Sequence, residues 1–329
     1  MAKPILESIQ AGRGMAALMV LFVHINLPVL GKVWGGGVDF FFVLSGFIIF
    51  YVHHQDFGNP KKIGTYLYRR FVRIYPVYWL IIGGYWGLHY LLGNDWKDFY
   101  QANTLGVVQT ILLLPNHPLV VLTSWTLSYE IIFYLVVLLR FVFKSGFAFY
   151  CLLLFPLLAL VGVHLLPPSY AVYPTFLGEA LLGTLVFSFY QYRSINFTTI
   201  FVGLFSGIFL LIFLPYFSPM SHPLITRGFP CGLILFALVG WEKRQKVQVP
   251  RFFLMLGNAS YVLYLTHTIF LATCTAFISG IFSKVPTPFT TGLSVVIAVV
   301  LAIAGHYWVE KPLLRFLRKI RSDSSSQVK

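Results

Sequence analysis

Long apolar stretches separated by short polar ones set the rhythm of this 329-residue chain. A helix needs roughly 20 mostly apolar residues to cross the hydrocarbon core of a bilayer. That ruler predicts spans near residues 14–31, 37–52, 74–92, 125–143 and 147–166, and a second set near 175–189, 197–214, 225–240, 253–278 and 289–309. The run Leu105–Leu114 is too short to cross and reads as interfacial or re-entrant. The first apolar run, Met15–Leu30, passes through one short loop into the second, as a retained span does and a cleaved secretory signal does not. The expected fold class is all-α, a polytopic integral membrane bundle of about ten transmembrane helices, and an even number of crossings puts both termini on one side.

Charge tests that layout, because cytoplasmic loops accumulate Lys and Arg. Of the 24 basic residues, all but Lys32, Lys97, Arg227 and Lys284 fall on the side shared by the termini, which makes that side cytoplasmic. The same asymmetry accounts for a net charge of +14 without nucleic acid as a partner. With 58% hydrophobic and 10% charged residues, the chain has too little charge to cover a water-soluble domain of this length. Cys151, Cys231 and Cys274 lie apart in apolar segments, without metal-ligand spacing, and read as packing residues.

Ionisable side chains inside spans are costly and need a partner or a polar cavity. Arg13 and His24 lie on the first span, eleven residues apart, which places them on one helix face about 16 Å apart along the axis. The second span opens with Val38–Phe47, VDFFFVLSGF, with Asp39 near the outer boundary, where it reads equally as a helix cap, and Ser45 and Gly46 where helices can approach closely. In Ser124–Tyr134, SWTLSYEIIFY, Glu130 lies more than one turn inside the apolar region. Thr175, Glu179 and Gly183 form one polar stripe and Ser260, Tyr264 and His267 another, a pattern of interhelical hydrogen bonding. Glu310 is expected to pair locally with Arg315 or another cytoplasmic base. At the inner boundary, Arg69–Trp79 reads RRFVRIYPVYW. The guanidinium groups of Arg69, Arg70 and Arg73 beside Tyr75 suit a nucleotide's phosphates, and suit anionic lipid equally well.

Six segments in order resemble the acyltransferase-3 family of bacterial membrane acyltransferases, in its compact exopolysaccharide O-acetyltransferase form. They are Ile9–His24 with its Arg, ten residues, His arrangement, VDFFFVLSGF, RRFVRIYPVYW, SWTLSYEIIFY, ASYVLYLTH (Ala259–His267) and VEKP (Val309–Pro312). One departure is Gly12 before Arg13, where the family usually has Leu. The resemblance implies a membrane acyltransferase domain over residues 1–312 with a basic cytoplasmic tail at 313–329. It also implies a multi-pass location in the bacterial inner membrane, acetyl-CoA as donor with no metal, and a glycan or lipid-linked glycan acceptor at the outer face. It marks Arg13 and His24 as the essential pair and the three arginines as holders of the donor's nucleotide.

The chemistry expected of this set has His24 as general base toward a sugar hydroxyl, or alternatively as an acyl-imidazole relay. Glu130 or Asp39 would fix the imidazole tautomer, with Glu130 favoured for its depth, and Arg13 would hold the donor or offset developing negative charge. Changes at Arg318 and Arg321 serve as the comparison for changes at the donor arginines. A transporter or flippase would also line its path with intramembrane His, Glu and Arg, but calls for inverted repeats with interrupted helices, which the sequence does not display. A noncatalytic subunit of a polysaccharide assembly complex would need no donor affinity.

Overall fold

The computed structural model describes residues 6–25, 35–91, 104–115, 120–143, 145–146, 149–150, 172–192, 195–217, 222–281 and 287–326. Eleven α-helices and no strand occur among them. Six helical segments are long and apolar enough to cross a membrane: Gly36–His53, Leu122–Val142, Phe197–Phe217, Leu224–Arg244, Arg251–Ile281 and Pro288–Ile320. The helices at the expected crossings 14–31, 74–92 and 175–189 are not among the six. The expected crossing at 147–166, with Cys151, lies outside the described residues apart from Phe149 and Tyr150, as do Lys32, Lys97 and Lys284.

The chain forms two compact units. The first comprises Met1–Ile63 and Tyr129–Asn258. It holds α1 (Glu7–Val23), α2 (Gly36–His53), most of α5 (Trp125–Val142), α6 (Val172–Tyr192), α7 (Phe197–Phe217), α8 (Phe229–Arg244) and the start of α9 (Arg251–Ile281). At its centre is α2, 67% buried, whereas α7 is 22% buried. The exposed row Phe201, Phe205, Phe209, Phe213 and Phe217 repeats every four residues along α7. In water such a stripe is an aggregation hazard, while against acyl chains it is ordinary helix surface.

Helices α2 and α6 cross at Gly46 and Gly183. A Cβ on Gly46 would overlap Ala180 O, and one on Gly183 would overlap Val43 O, so the two backbones touch through paired glycines. Close approach of this kind substitutes for the hydrophobic drive that lipid removes. Stacked Phe42 and Phe176 flank the crossing on one side, with centroids 4.1 Å apart, and Phe47 packs edge-on to Phe187 on the other. The close approach expected at Gly46 is thus realised, with Gly183 of the Thr175–Gly183 stripe as its partner.

Helix α1 starts at Glu7, seven residues earlier than the apolar ruler places it, and ends at Val23. Its first turn is tied down from far along the chain. The Glu242 carboxylate, at the end of α8, accepts the backbone N–H of Glu7 at 2.7 Å and of Ser8 at 2.9 Å, and also the Ser8 hydroxyl. Two donors that a helix N-terminus leaves unpaired are thereby satisfied by a negative group placed where the helix dipole favours it. Replacing Glu242 with alanine is expected to cost about 2 kcal/mol, read as a lowered melting temperature of the purified protein, whereas Glu242→Gln should retain part of the effect.

The second unit comprises Gly64–Ser128 and Ala259–Lys329. It holds α3 (Ile63–Leu91, from Gly64), α4 (Thr104–Leu112), the start of α5, most of α9, α10 (Thr287–Gly305) and α11 (Lys311–Ser326). Nine-residue α4 is too short to cross a bilayer. Three side chains of α3 cap its last carbonyls: Tyr78 Oη donates to Thr110 O at 2.9 Å, Trp79 Nε1 to Ile111 O at 2.9 Å and Tyr75 Oη to Leu112 O at 3.0 Å. The chain leaves α4 through Leu113 at φ 54°, with Leu114 N–H donating to Gln109 O, a helix ending usually built on glycine. The basic tail expected from residue 313 is helical to Ser326.

Candidate active site

Arg13 and His24 both belong to α1. Arg13 is half-buried, and its Nη1 donates to Gln10 Oε1 at 3.1 Å, one turn earlier. His24 closes the helix: its backbone N–H donates to Leu21 O at 3.1 Å, and its side chain is exposed. The helix therefore carries a guanidinium in its body and an accessible imidazole at its end.

The two carboxylates expected to orient His24 have other partners. Glu130 on α5 accepts the hydroxyl of Ser45 on α2 at 3.3 Å and that of Tyr134 one turn along its own helix. Asp39 is not an interfacial cap. Its side chain is 4% exposed and lies 3.7 Å from Arg227 Nε. The two acids are engaged at different levels of α2: Asp39 and Ser45, the α2 partner of Glu130, are six residues apart, about 9 Å along the helix.

Asp39 belongs to a cluster at one end of the first unit. Its carboxyl meets that of Glu179, a fully buried residue on α6, and both feel the Arg227 charge. Among the described residues, neither Glu179 oxygen accepts from an N–H or from another residue's hydroxyl, so the contact between the acids is a hydrogen bond only when one of them carries a proton. Gly228 makes room for Glu179: a Cβ there would lie 2.8 Å from Glu179 Cγ. Arg227 sits on a π-helical turn, Leu224–Gly228, that leads into α8. Just before this turn, His222 Nδ1 accepts Leu224 N–H at 3.2 Å, which leaves the ring proton on Nε2, 3.3 Å from Thr175 Oγ1. Burial, and then the Arg227 charge, hold this imidazole below its ordinary pKa, in keeping with that neutral tautomer.

Sequence reading missed Arg227 as a functional neighbour. The available signal was its place as one of the four bases that fall off the side expected to be cytoplasmic. The hydroxyl partners of Glu130 were half visible, since Tyr134 follows at one-turn spacing.

In the second unit, Arg69, Arg70 and Arg73 lie within one turn of α3. Arg69 is exposed, while Arg70 lies 5.7 Å from the Tyr66 ring centroid and Arg73 6.0 Å from that of Tyr261, contacts that steady both guanidinium groups. Tyr75 caps α4, so its hydroxyl is committed to structure rather than to the arginine cluster. His267 is buried, with Nδ1 at 2.8 Å from Tyr264 O and 3.1 Å from Leu263 O on its own helix, and Tyr264 Oη meets Thr126 Oγ1 at 2.6 Å. Of the Ser260–His267 stripe, Tyr264 thus bonds to another helix, as expected, and His267 Nδ1 bonds to its own. Glu310 pairs with His306 at 2.7 Å rather than with Arg315, because the π-helical turn His306–Glu310 brings those two side chains together. No group of three or more metal-ligating side chains occurs among the described residues.

The profile described as "Acyltransferase domain", that of the acyltransferase-3 family, matches residues 6–309. Exopolysaccharide production protein ExoZ of Rhizobium meliloti (strain 1021) is 24% identical over 303 residues, an alignment spanning 85% of this chain and 89% of that protein. No solved structure matches the chain.

Proposed function

The chain belongs to the acyltransferase-3 family, and we propose that it moves an acyl group, acetyl by preference, from cytoplasmic acyl-coenzyme A to a hydroxyl of a cell-surface or lipid-linked glycan. The observation that carries this reading is α1, with a half-buried guanidinium in its body and an accessible imidazole at its end, inside the matched region. The name of the Rhizobium meliloti relative supports an exopolysaccharide acceptor. Six apolar helices and the one-sided distribution of bases support a bacterial inner-membrane protein with about ten crossings and cytoplasmic termini.

In this reading neutral His24 takes the proton of the acceptor hydroxyl as its oxygen attacks the thioester carbonyl. The C–S bond then breaks, and the leaving thiolate recovers the proton from the imidazolium. Arg13 offsets negative charge developing on the carbonyl oxygen. Arg69, Arg70 and Arg73 hold the donor's nucleotide phosphates. Glu130 and Asp39 are positioning residues: Glu130 ties α5 to α2 through Ser45, and Asp39 holds the turn that carries Arg227.

Proteoliposomes containing the purified protein, supplied with acyl-coenzyme A labelled in the acyl group and with a lipid-linked glycan extract, should accumulate label covalently bound to glycan while releasing equimolar free coenzyme A. A transporter would instead move a solute and leave the thioester intact. That result, with no label on glycan, would overturn the proposal.

A further inference from the structure

The basic C-terminal segment is a helix with a fixed neighbour. Tyr68 Oη on α3 donates to Leu317 O on α11 at 2.6 Å, joining residues 249 apart in sequence. Arg69 follows Tyr68 and Arg318 follows Leu317, so an arginine flanks the contact on each helix. Arg315 lies one turn before Arg318, and all three are exposed. None of the three takes part in an ion pair among the described residues. Glu310, the acid nearest before Arg315 and Arg318 in sequence, is buried against His306.

We propose that α11 and the first half of α3 form one phosphate-binding cradle, in which Arg315 and Arg318 join Arg69 in holding the nucleotide end of the acyl-coenzyme A donor. The inference rests on the reading of acyl-coenzyme A as donor and extends its site to a second helix. Like charges gathered at one junction repel, and a polyanion relieves that repulsion. Coenzyme A carries phosphate at two places, a diphosphate bridge and a ribose 3′-phosphate, and two basic helices joined at one point offer two anchorages. Lys311, Arg315, Arg318, Lys319 and Arg321 follow one another along α11, as a headgroup site for anionic lipid would also have them, but exposed Arg69 of α3, next to Tyr68 in the chain, adds a base from a second helix beside the meeting point. Arg318 is therefore not an independent comparison for the α3 arginines.

The test measures binding of coenzyme A and of dephospho-coenzyme A, which lacks the 3′-phosphate, to the full-length protein in phosphatidylcholine nanodiscs. Arg315→Gln/Arg318→Gln should weaken coenzyme A binding about tenfold or more and narrow the preference for coenzyme A over the dephospho form. Tyr68→Phe, which leaves every arginine in place, should weaken it several-fold by freeing α11. Unchanged affinity in both variants, with loss in Arg69→Gln/Arg73→Gln, would overturn the cradle while leaving the donor assignment standing. Absence of saturable coenzyme A binding by the unsubstituted protein would instead remove the donor assignment, and the cradle with it. A loss seen only in discs containing phosphatidylglycerol would assign α11 to lipid headgroups and overturn the proposal.

Discussion

A His24→Ala variant should lose acyl transfer by roughly 10² to 10⁴-fold, the contribution typical of a positioned general base, while keeping its fold. The imidazole is exposed at the end of α1, so its removal opens no cavity. The backbone bond that closes the helix, His24 N–H to Leu21 O, does not involve the side chain. Stability and activity should therefore separate cleanly at this position. Transfer of labelled acyl group to glycan in proteoliposomes gives the rate, and a melting curve of the same preparation gives the fold. Near-normal turnover would end the assignment of His24. The unsubstituted protein also distinguishes the two chemical routes: incubated with donor and no acceptor, a general base leaves the chain unlabelled, whereas a relay builds up an acid-labile acyl-imidazole.

The second large effect is on folding. Gly183→Ala would place a methyl group against Val43 O, and Gly46→Ala one against Ala180 O, both backbone atoms that cannot swing aside. Overpacking a core typically costs about 1–3 kcal/mol, and here the two helices must separate along the whole crossing, which also loosens the stacked Phe42–Phe176 pair. The double variant should therefore fail to accumulate as a monodisperse protein or melt well below the unsubstituted chain. Gly232→Ala is the control: a Cβ there would meet Leu182 Cβ at 3.9 Å, ordinary contact distance. A double variant that melts with the control would show that the α2–α6 crossing is not tight.

Much of the architecture was legible because a bilayer makes a simple demand, continuous apolar length, that α2, α5, α7, α8, α9 and α10 meet. The ruler misjudged helices whose ends are fixed by other means. The start of α1 was hidden because Glu242, which caps it, lies 235 residues away from Glu7. The start of α3 was hidden because arginines occupy its first turns, and these interrupt an apolar count without interrupting a helix. Within the candidate site, the types of the ionisable residues could be read and their partners could not. Asp39 stands where a cap would stand, and only a turn near residue 227 reveals that it faces a guanidinium. Glu130 was singled out by its depth, but its hydrogen bond to Ser45 crosses between helices and leaves no spacing pattern in the chain.

The turn Leu224–Gly228 has a consequence for how this protein can change. A π-helical turn holds one residue more than the α-helix around it, so it is the mark of a single-residue insertion accommodated without breaking the helix. Losing one codon there would turn the part of this segment before the deletion by about 100° relative to α8, carrying the Arg227 guanidinium away from Asp39 and Glu179, which are held on two other helices. Lineages that shorten this segment must therefore dispose of Asp39 and Glu179 in the same step, so the three positions should be inherited or lost together.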